Sequence, residues 1–269
     1  MKFKGIVCGM GEIGTPIFKI LSSSTITEGY DINPKLIPKL KSNFSNYPVD
    51  FIHICIPFNS NFNKNVLSLK KKFNPKGIVI HSTISPGTTK ILQSKIDDVP
   101  IIYSATRGVH KRMLSDLKKY TKFYSISDFA PNSKWASSYF VKIMRKCEIK
   151  IKKMSSPVTL ELAKIITDTS YYGWLINYAQ LSNMIARKYD VDYDEMWEFS
   201  DEIHKFLGNR PKLFPGFIGG HCVIPNLNLI NEESLWQINK INNFYAKKIP
   251  NVKSINKKYD KSKKQSYDI

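Results

Sequence analysis

Residues 3–14, FKGIVCGMGEIG, limit the fold of this chain more tightly than any other stretch. A short apolar run leads directly into Gly9, Gly11 and Gly14, and a helix-like segment follows. This spacing suits a strand that turns sharply into a helix. Gly9 permits the turn, Gly11 lets a pyrophosphate approach the backbone, and Gly14 allows close helix–strand packing. The helix N-terminus then offers free N–H groups to phosphates. Gly9, Met10, Gly11, Glu12, Ile13 and Gly14 are thus the expected cradle of a dinucleotide. The next apolar run ends in GYDINP, which puts Asp31 about 20 residues beyond the glycines, where an acid binds the ribose 2′-hydroxyl. A carboxylate there repels a 2′-phosphate and selects NAD over NADP. The other reading of Asp31 is a cap on the turn before Pro34.

As far as about residue 153, short apolar runs alternate with helix-like stretches. The expected strands are FKGIVC, TEGYDI, DFIHICI, GIVIHST, PIIYSA, KFYSIS and EIKIKK. Strands that are apolar on both faces and alternate with helices imply a parallel sheet covered on both sides. The expected fold class is therefore α/β. It is a Rossmann-like, doubly wound parallel sheet over residues 1–153, followed by a helical domain over 154–246. Residues 247–269 form a basic tail with few large apolar side chains, expected to be mobile.

The formal charge of +19 raises the question of nucleic acid. Phosphate binding depends on clustered Lys and Arg. Here the excess is spread through an Asn- and Ile-rich chain and gathers clearly only in the tail, so nucleic acid is not expected. A basic chain still attracts anionic small molecules. No apolar run reaches the roughly 18 residues of a membrane span, and the N-terminus reads as a strand rather than a signal peptide. The four cysteines, Cys8, Cys55, Cys147 and Cys222, lie far apart with no C-x-x-C pair. Neither a disulfide framework nor a metal site is expected, and a reducing cytoplasm is the default. Cys8 and Cys55 sit in apolar runs, where cysteine behaves as a small buried hydrophobe.

Beyond MSSP the periodicity becomes helical. Residues 157–189 read as one unbroken helix, long enough to join two domains or two subunits, and its apolar and aromatic side chains imply a homodimer. Lys164 and Asp168 lie four apart on it. One reading is a surface ion pair; the other has Lys164 stabilise a developing oxyanion. Further on, PGFIGGHCVIPN sets Cys222 behind Gly219, Gly220 and His221, in a loop with proline at both ends.

These segments resemble the UDP-glucose/GDP-mannose dehydrogenases, NAD-dependent enzymes that oxidise a sugar's primary alcohol to a carboxylate. GMGEIG, HSTISPGTT, ELAKIITD and GFIGGHCVIPN carry the resemblance over roughly residues 1–245, and the last motif is the most specific. It implies a fold like that of 6-phosphogluconate dehydrogenase, with one long central helix. It also implies that Cys222 attacks an aldehyde intermediate as thiolate, that a second oxidation gives a thioester, and that water cleaves it. A nearby cation would lower the thiol pKa. Lys164 matches the family's oxyanion-stabilising lysine and Thr83 its water- and cofactor-adjacent threonine. Pro57, Ser82 and Thr83 join the cofactor set. Arg107, His110, Gly219, Gly220 and His221 are expected at the substrate. Arg210 lies near a substrate-binding arginine that can cross the dimer. The substrate implied is a small molecule, a nucleotide sugar or another anionic sugar.

The chain departs from the family's pattern at several places. Asn226 stands where the family has an aspartate, and Asp168 where it has asparagine. The loop YSATRGVHKRM lacks the family's glutamate, and no third, nucleotide-gripping domain follows Cys222. Three readings stay open: a shortened relative using Cys222, Lys164, Thr83 and Asp168 or Asn226; a single-step β-hydroxyacid-type dehydrogenase; and a dinucleotide-binding protein without turnover.

Overall fold

The computed structural model describes residues 3–38, 48–220 and 222–251. All seven apolar runs form strands: β1 (Lys4–Cys8), β2 (Ile26–Tyr30), β3 (Phe51–Ile54), β4 (Gly77–Ile80), β5 (Ile101–Tyr103), β6 (Lys122–Ile126) and β7 (Ile151–Lys153). They build one sheet in the order β2-β1-β3-β4-β5-β6-β7. β1 pairs in parallel with both β2 and β3, so the winding reverses between β1 and β3. In open α/β sheets ligands bind outside the strand C-termini at such a reversal. One expectation needs correction: β6 runs antiparallel to β5, and β7 then runs parallel to β6. The link from β5 to β6 carries a 3-10 turn at His110–Arg112 and the short helix α4 (Met113–Lys119), which packs against α1 (Gly14–Ser22). An antiparallel neighbour needs no full crossover.

The period of two along each strand feeds two separate apolar layers. Val7, Phe51, Val79 and Ile102 pack on one face with α1, α4 and α5 (Ser133–Lys146). Ile6, Cys8, Ile52, Ile54, Ile78 and Ile80 pack on the other with α2 (Phe62–Phe73) and α3 (Thr88–Lys95). Each fully buried side chain of this size stabilises by about 1.5–3 kcal/mol.

The chain divides into two compact units, Met1–Lys164 and Ile165–Ile269, later than the expected boundary after residue 153. The delay comes from α6 (Pro157–Leu162), which starts on a Ser156 cap and a proline and buries Leu160 and Glu161 within the first unit. The expected unbroken helix also changes its winding. Ala163–Ser170 is π-wound, and α7 (Tyr171–Lys188) then resumes the α form. The stretch Ile165-Ile166-Thr167 and Thr169 is β-branched, which weakens ordinary helical winding. Ser170 Oγ donates to the Ile166 carbonyl, a back-bond that bends helices.

The second unit adds α8 (Tyr193–Leu207), α9 (Val223–Leu227) and α10 (Glu233–Lys248). Its core joins Ile165, Ile218, Val223, Leu227, Leu235 and Ile238. After Cys222 the chain forms two helices, α9 and α10, separated where it turns at Asn228–Glu232. Lys247 and Lys248 end α10 and Ile249 is buried, so the expected tail does not start at residue 247. Residues 252–269 lie outside the described residues. Among the described residues no helix is long and apolar enough to cross a membrane.

Candidate functional site

The glycine turn lies at the carboxyl end of β1, at the reversal point of the sheet. Gly9 has φ +92°, and a Cβ there would meet the Cys55 backbone at 2.9 Å. A Cβ on Gly14 would lie 1.6 Å from the Gly9 carbonyl oxygen, so only glycine lets α1 start this close to the strand. Gly11 is different: a Cβ there meets nothing within 4 Å. The first and third glycines serve the fold, and the second leaves open space over the turn. α1 has no side-chain cap and no acid in its first turn, although the Thr15 N–H already donates to the Gly11 carbonyl at 3.0 Å and Pro16 has no N–H to offer an anion. Glu12 is exposed and Ile13 half-buried at the helix entrance.

Asp31 belongs to the same turn. One carboxylate oxygen accepts the Met10 N–H at 2.7 Å and the other the Asn33 N–H at 2.8 Å. The expected cap before Pro34 is real, and the same carboxylate also fastens the end of β2 to the glycine turn. Each oxygen keeps a lone pair for a hydroxyl. Met10 is buried, and its sulfur lies so close to Gly29 that a Cβ there would sit 2.8 Å away. The residue after Asp31 carried no sequence expectation. Ile32 is 94 % exposed, an apolar side chain left open beside Asp31. Its signal was an apolar residue continuing past the end of a strand.

Across the reversal, Ser82 Oγ donates to the Ile56 carbonyl at 2.6 Å, one residue before the exposed Pro57. Thr83 is half-buried in the loop that follows β4. That loop is held from an unexpected side. Glu161, fully buried on α6, accepts the N–H groups of Gly87 and Thr89 at 2.6 and 3.0 Å, and the Thr89 hydroxyl at 2.6 Å. The carboxylate caps α3 and lies three residues before Lys164, which is half-buried.

A second group lies beneath the loop after β5. Lys122 is buried, and its ammonium donates to the Ser104 carbonyl at 2.9 Å. Burial, with Arg107 and Lys164 nearby, pulls its pKa down to about 7. The Ser104 carbonyl also faces His81 Nδ1 at 3.1 Å, and His81 Nε2 faces His53 Nδ1 at 2.9 Å. A carbonyl only accepts, so His81 carries its proton on Nδ1 and takes one from His53 on Nε2. His53 Nε2 is then a buried acceptor with no partner. Burial, then Lys122, lowers the His53 pKa to about 3 and puts His81 well below the usual imidazole range. Both rings are neutral. Cys55 is buried between this group and the glycine turn, and burial pushes its thiol up to about 12. No sequence signal marks Lys122, because a lysine opening a strand reads as exposed.

Arg107 is half-buried; it donates to the Thr121 carbonyl at 2.6 Å and stacks over Phe123. The side chain of His110 and all of His221 lie outside the described residues. In the second unit, Gly219, Gly220 and Cys222 are exposed, and Gly220 takes φ +76°. Cys8, Cys55 and Cys147 are buried; Cys222 is the exposed thiol of the four. Asn226 is half-buried on α9, and Asp168 half-buried on the π-wound stretch. Arg210 is exposed, its guanidinium on Asn209 and its N–H on His204.

No protein-family model and no curated protein matches the sequence. Solved structures do match in fold. The chain superposes on the UDP-D-ManNAc dehydrogenase of Pyrococcus horikoshii with a TM-score of 0.75 and 17 % identity, covering 90 % of this chain and 69 % of that one. For the UDP-N-acetyl-mannosamine dehydrogenase of Staphylococcus aureus the TM-score is 0.69 and identity 17 %, covering 90 % and 68 %. For the 3-hydroxyisobutyrate dehydrogenase of Mycobacterium tuberculosis the TM-score is 0.65 and identity 14 %, covering 92 % and 94 %. The resemblance carried by the sequence motifs is thus carried by the fold as well. The α/β unit followed by a helical unit is the architecture of these dehydrogenases, and the chain spans about two thirds of the nucleotide-sugar enzymes.

Proposed function

We propose that the chain is an NAD-dependent dehydrogenase that oxidises the primary alcohol of an anionic sugar, with a nucleotide sugar as the first substrate to test. The observation that carries this reading is the glycine turn at the sheet reversal, open over Gly11 and tied to Asp31. Its residues fit a dinucleotide. The uncapped start of α1 takes the pyrophosphate, Asp31 the ribose hydroxyls, and Ile32 an apolar face of the adenine. Pro57, Ser82 and Thr83 border the nicotinamide end. Bound NAD supplies the hydride acceptor. Four free cysteines are in keeping with a reducing, cytoplasmic setting.

The chain's own residues then divide the work. Lys164 stabilises the alkoxide that forms as the alcohol loses its proton, and departure of a hydride from the carbon then leaves the aldehyde. Cys222, exposed and on a glycine-bounded loop, adds as thiolate to the resulting aldehyde. Loss of a second hydride, to a second NAD exchanged for the reduced first one, gives a thioester, and water displaces the thiol to leave a carboxylate. Asn226 cannot act as base, so Asp168 takes the proton-handling role. Arg107 and Arg210 are the cations assigned to the substrate's negative charge, and His110, His221 and the Gly219–Gly220 backbone are the further residues assigned to the substrate.

NADH formation in a screen of nucleotide sugars and hydroxy acids tests the reading. Two NADH per substrate consumed support the thioester route. One NADH from a small hydroxy acid supports a single-step dehydrogenase, a reading favoured by coverage of 94 % of the hydroxyisobutyrate enzyme. NAD binding with no turnover on any substrate overturns both, and leaves Asn226 as a sign of lost chemistry.

The same reading includes a homodimer. α7 exposes Tyr171, Trp174, Tyr178, Leu181 and Ile185, and α8 exposes Met196, Phe199, Ile203 and Phe206. Both sets follow alternating three- and four-residue steps, the spacing of helix–helix seams. Trp197 is the one buried side chain of α8, so its apolar face is left for a second copy.

A further inference from the structure

Between Gly208 and Gly220 the chain runs through a segment without helix or strand. Its peptide groups have no ladder to join, and buried ones must find partners elsewhere. They find side chains. Asn242 on α10 pairs with the Ile218 peptide as a neighbouring strand would: its Oδ1 accepts the Ile218 N–H at 2.8 Å, and its Nδ2 donates to the Ile218 carbonyl at 3.0 Å. Gln180 on α7 donates to the Gly216 carbonyl at 2.6 Å and to Asn242 Oδ1 at 3.0 Å. Tyr245 on α10 donates its hydroxyl to the Pro215 carbonyl. Gln180, Asn242 and Tyr245 are at most 2 % exposed.

Packing alone does not call for so many amides. An apolar core between α7 and α10 would be simpler, and each buried amide is costly unless bonded. Each of the three bonds to one short run of backbone, Pro215 to Ile218, which ends four residues before Cys222, and Tyr245 also reaches Asn183 Oδ1 at 3.3 Å. We infer that Gln180, Asn242 and Tyr245 are positioning residues for Cys222. They fix the loop up to Ile218, and the exposed Gly219–Gly220 hinge, with its positive φ, then sets the thiol's place. This inference rests on the reading of Cys222 as nucleophile. Asn177 belongs to the same buried network but not to the clamp. It donates to Gln180 Oε1 at 2.9 Å and to the Ile238 carbonyl at 3.3 Å, both outside the loop.

That difference supplies the test, on the full chain. Tyr245→Phe removes one donor to the loop, Asn242→Asp turns a donor into an acceptor, and Asn177→Asp disturbs the network away from the loop. Ile218 amide exchange and iodoacetamide labelling of Cys222 are followed in each, with Cys8, Cys55 and Cys147 as buried references. In the wild type the Ile218 amide is protected. The two clamp variants speed its exchange about ten-fold, the worth of one hydrogen bond. They slow Cys222 labelling at neutral pH by about ten-fold or more, as expected for a displaced reacting group. Asn177→Asp lowers the melting temperature but leaves both readouts near wild type. Equal effects from Asn177→Asp and Asn242→Asp would mean general loosening and would overturn the inference, as would free exchange at Ile218 in the wild type. An unreactive wild-type Cys222 with a protected Ile218 sinks the nucleophile reading and leaves the clamp.

Discussion

Glu161 Oε2 accepts the N–H of Gly87 at 2.6 Å, a side-chain-to-backbone bond spanning 74 residues. It joins the loop carrying Thr83 to the helix that continues into Lys164. With the Thr89 N–H and hydroxyl on its other oxygen, the carboxylate has three donors and no exposure. A glutamine would turn an N–H group toward donors it cannot accept from. Glu161→Gln should destabilise the first unit by about 2–4 kcal/mol, the range for broken bonds to a buried charge. Urea unfolding checks this; a change below 1 kcal/mol, an order-of-magnitude floor, would mean the carboxylate is dispensable.

The three glycines of the turn should separate into two classes. Gly14→Ala puts a Cβ against the Gly9 carbonyl at 1.6 Å, so the start of α1 must move and thermal stability must fall. Gly11→Val meets open space, so the protein should fold and melt as wild type. It should nevertheless lose NAD binding, because the side chain occupies the pyrophosphate's path. Circular dichroism and NADH fluorescence give the two readouts. A Gly11→Val protein that binds NADH normally would remove the turn from the cofactor site.

Asp31 should set the cofactor preference. In the wild type, calorimetry should find NAD tighter than NADP, because a 2′-phosphate would face a carboxylate already bonded to Met10 and Asn33. Tighter NADP binding would exclude the ribose role.

The buried imidazoles give a pH dependence with a definite sign. The folded-state pKa values of His53 and His81 lie below that of an unfolded histidine, near 6.5. The unfolded chain therefore binds more protons in acid. Their contribution to stability is complete above about pH 6.5 and is lost as pH falls through the folded values. Lys122 acts in the same direction at higher pH. Its folded pKa of about 7 makes its contribution complete only above the unfolded lysine value, and it declines as pH falls toward 7. Each imidazole adds a slope of up to about 1.4 kcal/mol per pH unit. Denaturant titrations between pH 4 and 6.5 on the wild type and on the double variant His53→Phe/His81→Phe measure it. Equal slopes in the two proteins would show that the pair is not neutral when folded.

The exposed stripes of α7 and α8 predict that charge blocks association without harming the subunit. Ile185→Glu with Phe199→Glu should turn a dimer into a folded monomer in sedimentation velocity, since exposed substitutions usually shift subunit stability by less than about 0.5 kcal/mol. A wild-type monomer at micromolar concentration would end the dimer proposal.

All seven strands, the glycine turn and the position of Asp31 were legible in the sequence, because each is written locally. Alternating apolar runs report burial through the period of the strand, and a G-x-G-x-x-G after such a run reports backbone geometry that only glycine reaches. The antiparallel placement of β6 was not legible, since a strand's direction depends on where its connection packs. The π-wound stretch carrying Lys164 and Asp168 was missed for a related reason: its β-branched run weakens α winding, but the side-chain spacing still reads as helix.

Sequence by itself determined where the candidate groups stand along the chain: a thiol behind two glycines, a lysine on a helix, an acid at a strand end. Tertiary structure alone decided how they are held. Glu161 finds Gly87 across 74 residues. Asn242 finds Ile218 across 24 and Tyr245 finds Pro215 across 30. These are polar side chains in helices, where sequence periodicity marks only which face is apolar. Which carboxylate, amide or amine becomes buried is settled by the backbone groups that the folded chain would otherwise leave without partners, and those groups are known only once the loops are in place.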